Sequence, residues 1–293
     1  MSGDAIRFSV GPVAAVDMQT RAEAPLPTEE DFKTKTIALY GLCTQGTSEE
    51  TLFNGSTVLT YDAASTQWTY TPLRYWTRGG VYDFRAISPA NRASTGGSAA
   101  QVQADFGDDY DLMVAASHVA TPLASTASVD PVVLTFVHAD AAVRFVFKKD
   151  ANELRTCRIT HFQVDNLSAS GTMTYAWNGT EDTISWTPGA KENGVFAWTA
   201  ATDDDALELA DTYASFDGWH LAVPQTFGGA TVRFVYKVGT DVMNAVLPIP
   251  DGTKWEPGMT YEYRIDIDKL AIGLTFAVNP WAATEVNGSY TIR

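Results

Sequence analysis

From Pro131 to Lys149, PVVLTFVHADAAVRFVFKK, the odd positions are Val133, Thr135, Val137, Ala139, Ala141, Val143, Phe145 and Phe147. The even ones include His138, Asp140, Arg144 and Lys148. A period of two predicts a long antiparallel strand or a strand pair, with one side on a core and the other near water. The cleanest alternation lies at 261–268, where Tyr261, Tyr263, Ile265 and Ile267 interleave with Glu262, Arg264, Asp266 and Asp268. Shorter alternating runs are Ile6, Phe8 and Val10, then Tyr82 with Phe84 and Ala86, while Ile37 to Leu42 and Arg158 to Leu167 also have strand character. Asn54-Gly55, Asp62-Ala63, Asn178-Gly179, Pro188-Gly189 and Pro257-Gly258 punctuate them as turn signals. Trp177, Trp186 and Trp198, separated by the Asn178-Gly179 and Pro188-Gly189 turns, suggest a meander. TVRFVYK at 231–237 nearly repeats AVRFVFK at 142–148, which convergent strand composition explains better than a true internal repeat.

Helical period is almost absent; KKDANELR, from Lys148 to Arg155, is expected to form one helical turn. The fold expected is therefore all-β, a two-domain sandwich with its boundary near residue 130, giving domains 1–130 and 131–293. Phe145, Tyr263 and Ile265 should be buried. Pro12 to Asp31, with Pro12, Pro25 and Pro27, reads as an extended, exposed connector, since Pro blocks both helix and ladder.

At 293 residues the chain is long enough for two domains, each with a core. Its 20 Lys and Arg against 35 Asp and Glu leave a formal charge of −15, which argues against nucleic acid and against docking on anionic lipid. No run of about 18 apolar residues occurs, so no spanning helix is expected. The N-terminus lacks the regions of a signal peptide, and Met1 to Gly3 read as the scar of a removed leader. Cys43 and Cys157 are the two cysteines. They define neither a zinc site nor a disulfide framework, and one disulfide between them stays open.

The search for chemistry finds little. His118, His138, His161 and His220 show no metal-ligand spacing, and there is neither a G-x-S-x-G elbow nor a phosphate-cradling loop. Asp105, Asp108, Asp109 and Asp111 could hold calcium but lack the EF-hand spacing; a solvated acidic loop is the plainer reading. Asn54, Asn166, Asn178 and Asn287 stand in N-x-S/T sequons, three of them Asn-Gly turn pairs. With eight Trp in a β-sandwich most must serve a core, and no aromatic cluster marks a sugar platform. No catalytic site, cofactor or metal is expected, and the chain reads as structural rather than as an enzyme.

Several stretches together resemble the Bacteroidetes fimbrillin family, the type V pilins and their fimbrillin-like relatives. These are YW and VYDFRAISP at 75–89, DLMVA at 111–115, LTFVHADAAVRF at 134–145, LAVPQ at 221–225, and KWEPGMTYEYRIDI at 254–267 with VNPW at 278–281. The resemblance implies two tandem transthyretin-like β-sandwich domains, export as a lipoprotein precursor, and a place in fimbriae at the cell surface and outer membrane. The lipid-bearing Cys of the family is not at the start of this sequence.

The role implied is a structural subunit, stalk or anchor, with a tip or surface adhesin for glycan or host protein as the alternative. The resemblance further implies maturation by a trypsin-like protease and assembly by donor-strand exchange with other fimbrial subunits. Carried onto this sequence, cleavage is expected at Arg21–Ala22, freeing a removable strand of Ile6, Phe8 and Val10. The candidate donor is the C-terminal stretch with Leu274, Phe276, Val278, Tyr290 and Ile292.

Overall fold

The computed structural model describes residues 4–11, 32–94, 97–121, 130–267 and 272–280. Its named elements are strands apart from a 3-10 turn at Ala90–Arg92, with helical backbone also at Phe32 and Lys33. The all-β expectation holds.

Followed along the chain, β1 (Phe8–Val10), β2 (Ile37–Gln45), β3 (Ser48–Asp62), β4 (Gln67–Thr69), β5 (Val81–Ser88), β6 (Gln101–Asp105), β7 (Met113–Ala120), β8 (Val132–Leu134) and β9 (Val137–His138) build a first compact unit. Next come β10 (Ala141–Lys149), β11 (Cys157–Asp165) and β12 (Leu167–Ser168) of a second unit. The hairpin of β13 (Gly171–Trp177) and β14 (Asp182–Pro188) then returns to the first. The second unit is completed by β15 (Lys191–Glu192), β16 (Val195–Thr199), β17 (Leu207–Glu208), β18 (His220–Ala222), β19 (Thr231–Val238), β20 (Asp241–Pro248), β21 (Met259–Ile267) and β22 (Ile272–Pro280). The chain thus crosses between units at Ala139–Asp140, beyond residue 130, and goes back for 172–187.

In the first unit a six-stranded sheet, β4-β3-β2-β5-β7-β9, is apolar on both faces. One face carries Ile37, Leu39, Tyr82, Phe84, Ala86 and Met113 under β1 and β8. The other carries Ala38, Tyr40, Leu42 and Val114 under the three-stranded sheet β14-β13-β6. A strand covered on both faces loses alternation, which is why Ile37 to Cys43 is buried without a break.

Three local expectations change in this part of the chain, and a fourth in the second unit. Asn54-Gly55 is not a turn but lies inside β3, where the register with β2 shifts between Leu39 and Tyr40. Gly55 holds φ +89°, and a Cβ there would strike the Tyr40 ring, so the pair makes a bulge. The stretch 131–149 is three strands rather than one long strand or a pair. Val132, Leu134 and Phe136 face the first core while Val133 and Val137 are 52% and 42% exposed, and beyond Asp140 the odd positions take over the second core. Apolar residues of both parities allowed one period to be read through a change of face. The Trp meander is also divided, with Trp186 packed in the first unit and Trp198 in the second.

The second unit is a sandwich of β18-β10-β21-β22 and β16-β11-β19-β20. Phe145, Tyr263 and Ile265 are buried between its sheets, and the similar runs of β10 and β19 meet there, Phe147 edge-on to Phe234 at 5.4 Å. Where one helical turn was expected from Lys148 to Arg155, Lys148 and Lys149 end β10 and a hydrogen-bonded turn follows, Glu153 N–H to Asp150 O at 3.0 Å. Asn152 N–H donates to Asp150 Oδ1, the side-chain competition that disfavours helix.

Candidate functional site

Residues 4–11 enter the first unit as an extended segment between two others. On one side β1 runs parallel to β8, Phe8 opposite Val132 and Val10 opposite Leu134. Val132 N–H donates to Arg7 O at 2.7 Å and Gly11 N–H to Leu134 O at 3.0 Å. On the other side Ile6 N–H donates to Arg74 O at 2.8 Å and Trp76 N–H to Asp4 O at 3.1 Å. The alternation of Ile6, Phe8 and Val10 puts all three in the core.

The Phe8 ring lies 5.3 Å from Phe84, 5.7 Å from Tyr70 and 5.9 Å from Phe53, each edge to face. Tyr70 donates its hydroxyl proton to Ile6 O at 2.8 Å, and burial is the first cause that raises its pKa above the ordinary tyrosine value. The segment is therefore lodged as an inserted strand, with an aromatic pocket at its centre.

At the other end of the chain, β22 is the edge strand of its sheet, antiparallel to β21 with Leu274 opposite Ile265 and Val278 opposite Tyr261. Leu274 is buried and Val278 packs against the second core. Phe276 stands opposite Tyr263. Residues 274–278, the candidate donor, thus pair with β21 in this chain. Tyr290 and Ile292, like Arg21 and Ala22, lie outside the described residues.

The remaining candidates disperse. Asp105 Oδ1 accepts from Thr172 Oγ1 at 2.9 Å, Asp109 pairs with Arg92, and Asp111 Oδ2 lies 2.7 Å from His138 Nδ1. Among the described residues no group of three or more His, Cys, Asp or Glu is poised to hold a metal. Cys43 and Cys157 are free buried thiols in different cores, so the disulfide left open by the sequence is not formed.

A buried ion pair was not anticipated. Arg85 Nε and Nη2 donate to Asp182 Oδ1 at 2.8 and 2.7 Å, and Asp182 Oδ2 reaches His118. The alternation in VYDFRAIS placed Asp83 and Arg85 together on one face of β5. What hid their role is that the face is covered by a hairpin from nearly a hundred positions further along the chain.

The fimbrillin-like family model matches residues 20–281. Among solved structures, the fold is similar to that of a fimbrial protein from Bacteroides vulgatus, at 13% identity and TM-score 0.58 over 94% of this chain and 99% of that one. It is also similar to proteins assigned to cell adhesion from Bacteroides uniformis (16% identity, TM-score 0.52, 94% and 99% covered) and Bacteroides ovatus (12%, 0.52, 96% and 98%). At such identities the likeness is one of fold. Among curated proteins no match is found.

Proposed function

We propose that this chain, which belongs to the fimbrillin-like family, is a stalk or anchor pilin of a cell-surface fimbria. In this proposal it is exported as a lipoprotein precursor and assembled by strand exchange after cleavage at Arg21–Ala22. As a member of a structural family it is not an enzyme. Its partners are other fimbrial subunits and a trypsin-like maturation protease.

One observation carries the proposal: Ile6, Phe8 and Val10 fill the core from a strand laddered on both sides. Once the chain is cut after Arg21, only those hydrogen bonds and apolar contacts retain the strand. Its departure would open a groove between 74–76 and β8, leaving Leu134 O without its Gly11 donor, Tyr70 OH without its nearer acceptor, and the Phe53, Tyr70 and Phe84 rings bare. An incoming strand with apolar residues at every second position meets each of those needs through main-chain pairing. Leu274-Thr275-Phe276-Ala277-Val278 repeats the pattern of Ile6-Arg7-Phe8-Ser9-Val10, aliphatic, Phe and Val in the same order. A subunit that donates it gives up the β21–β22 ladder, and Tyr290 and Ile292 extend the candidate donor.

Limited trypsinolysis of native protein with mass spectrometry tests the first step, with cleavage after Arg21 expected before any other. Arg21→Ala subunits should remain monomeric; normal maturation and polymerisation of that variant would sink the mechanism. The second reading is a tip or surface adhesin binding a host or bacterial surface ligand, favoured by Trp177, which is 47% exposed. Sub-millimolar binding to a defined sugar on a glycan array, lost in Trp177→Ala, would establish it.

A further inference from the structure

In the first unit, β5, β7 and the β13–β14 hairpin meet at His118. Asp83 and His118 face each other across β5 and β7, with Nδ1 2.5 Å from Asp83 Oδ1. The other ring nitrogen, Nε2, lies 2.6 Å from Oδ2 of Asp182, the first residue of β14. Trp177, the last residue of β13, sets its ring 4.9 Å from the imidazole, an arrangement that favours a cation. Two carboxylate oxygens at hydrogen-bond distance require two N–H donors, and only the imidazolium form supplies both. With Arg85 on Asp182 Oδ1, the four groups then balance as two cations and two anions.

We infer that His118 is a pH-sensitive latch: protonated, it pins the β13–β14 hairpin to the central sheet, and on losing its proton it lets that hairpin loosen. Burial favours the neutral ring, but the hydrogen bonds to Asp83 and Asp182, and their charges, outweigh it and raise the His118 pKa above its ordinary 6.5. A folded pKa above the unfolded one stabilises fully below about pH 6.5, and that contribution disappears as the pH rises through the folded value.

Other ionisable groups on these elements do not take over the role. Arg85 is committed to Asp182 and to Ala99 O, and Glu181 lies exposed in the hairpin turn. Tyr175 on β13 stays neutral, its pKa raised first by burial and then by Asp182, with Arg85 opposing.

Deprotonation leaves one N–H for two acceptors. Asp182, with its side chain 7% exposed, has the greater need of it, and Asp83 at 35% can turn to water. The bond across to the hairpin survives without its charge, at roughly half its strength. What it restrains is substantial, since Met173, Tyr175, Ile184 and Trp186 on the hairpin cover Ala38, Tyr40 and Val114 of the sheet.

Hydrogen exchange of the full chain, read by mass spectrometry on fragments spanning 172–187 from about pH 5.5 to about 8.5, tests the latch. After correction for intrinsic rates, exchange of the hairpin should accelerate roughly three- to tenfold across that range while β21 stays unchanged. His118→Gln should show fast exchange at every pH. The same slope in His118→Gln, or none in the native chain, overturns the proposal. Should that variant fail to fold, the ring resonances of His118 in the native chain decide: a midpoint above 6.5, lowered by Asp83→Asn, is expected, and one at or below 6.5 refutes it.

Discussion

Phe8 and Phe84 meet edge to face, their ring centroids 5.3 Å apart and their planes at 88°. The first belongs to a strand entering beside β8, the second to the middle of the central sheet, so this contact joins the inserted strand to the body that holds it. Edge-to-face pairs add about 0.5–1.5 kcal/mol beyond the area they bury.

Phe8→Ala should therefore destabilise the uncut chain by about 3–5 kcal/mol in urea unfolding. Combined with Phe84→Ala it should reveal a coupling of about 0.5–1.5 kcal/mol. Strict additivity would mean that the rings do not interact in solution.

In the second unit, Ile265 is fully buried whereas Val246 on the edge strand β20 is 48% exposed. Ile265→Ala should cost about 2–5 kcal/mol and Val246→Ala no more than about 0.5 kcal/mol. Equal losses at the two positions would contradict the assignment of inner and outer faces.

How much of this was legible in the sequence depended on whether a strand has one covered face or two. β21 was plain, because Tyr261, Tyr263, Ile265 and Ile267 face the core while Arg264 and Asp266 remain partly in water. Even there Glu262 is buried, bonded by Arg144 and Arg264. The inserted strand was legible as Ile6, Phe8 and Val10, but its pocket was not, since Phe53, Tyr70 and Phe84 converge from three separate stretches. The path of the chain was hidden too. A turn pair such as Asn178-Gly179 announces a hairpin but not which sheet it covers, and the Arg85–Asp182 pair follows only from that docking.

The thiols offer a simple check. Cys43 and Cys157 are both buried and free, and burial is the first cause that raises the Cys157 pKa. Neither should react with a thiol reagent in native protein at neutral pH, both should react after denaturation, and reductant should leave Tm unchanged. A single thiol per chain in oxidised, denatured protein, or none, would show a disulfide that this structure does not contain.

Chelation separates the two readings of the acidic stretch. Asp105, Asp109 and Asp111 each have a partner of their own in Thr172, Arg92 and His138, so removing divalent ions should leave Tm as it was. A fall of several degrees with EDTA, restored by calcium, would mean that these carboxylates regroup around an ion.

Acid stability should depend on Asp165. Its Oδ2 accepts from Arg233 Nε at 2.9 Å, and its Oδ1 from Gln163 Nε2 at 2.5 Å and Gly194 N–H at 3.0 Å. Burial alone would raise its pKa, but the three donors and the Arg233 charge together hold it below the ordinary 3.8. A carboxylate with a depressed folded pKa contributes stability that is complete above its unfolded value and is lost as the pH falls through the folded one. The Asp165 contribution should thus be intact at about pH 5 and disappear on descending below about pH 4. Asp165→Asn removes that titration but leaves the amide able to accept from Gly194. The variant should be less stable than the native chain at neutral pH, and the gap should narrow steadily in acid when unfolding free energies are compared. A gap of constant size down to about pH 2.5 would assign the loss to packing rather than to the charge of Asp165.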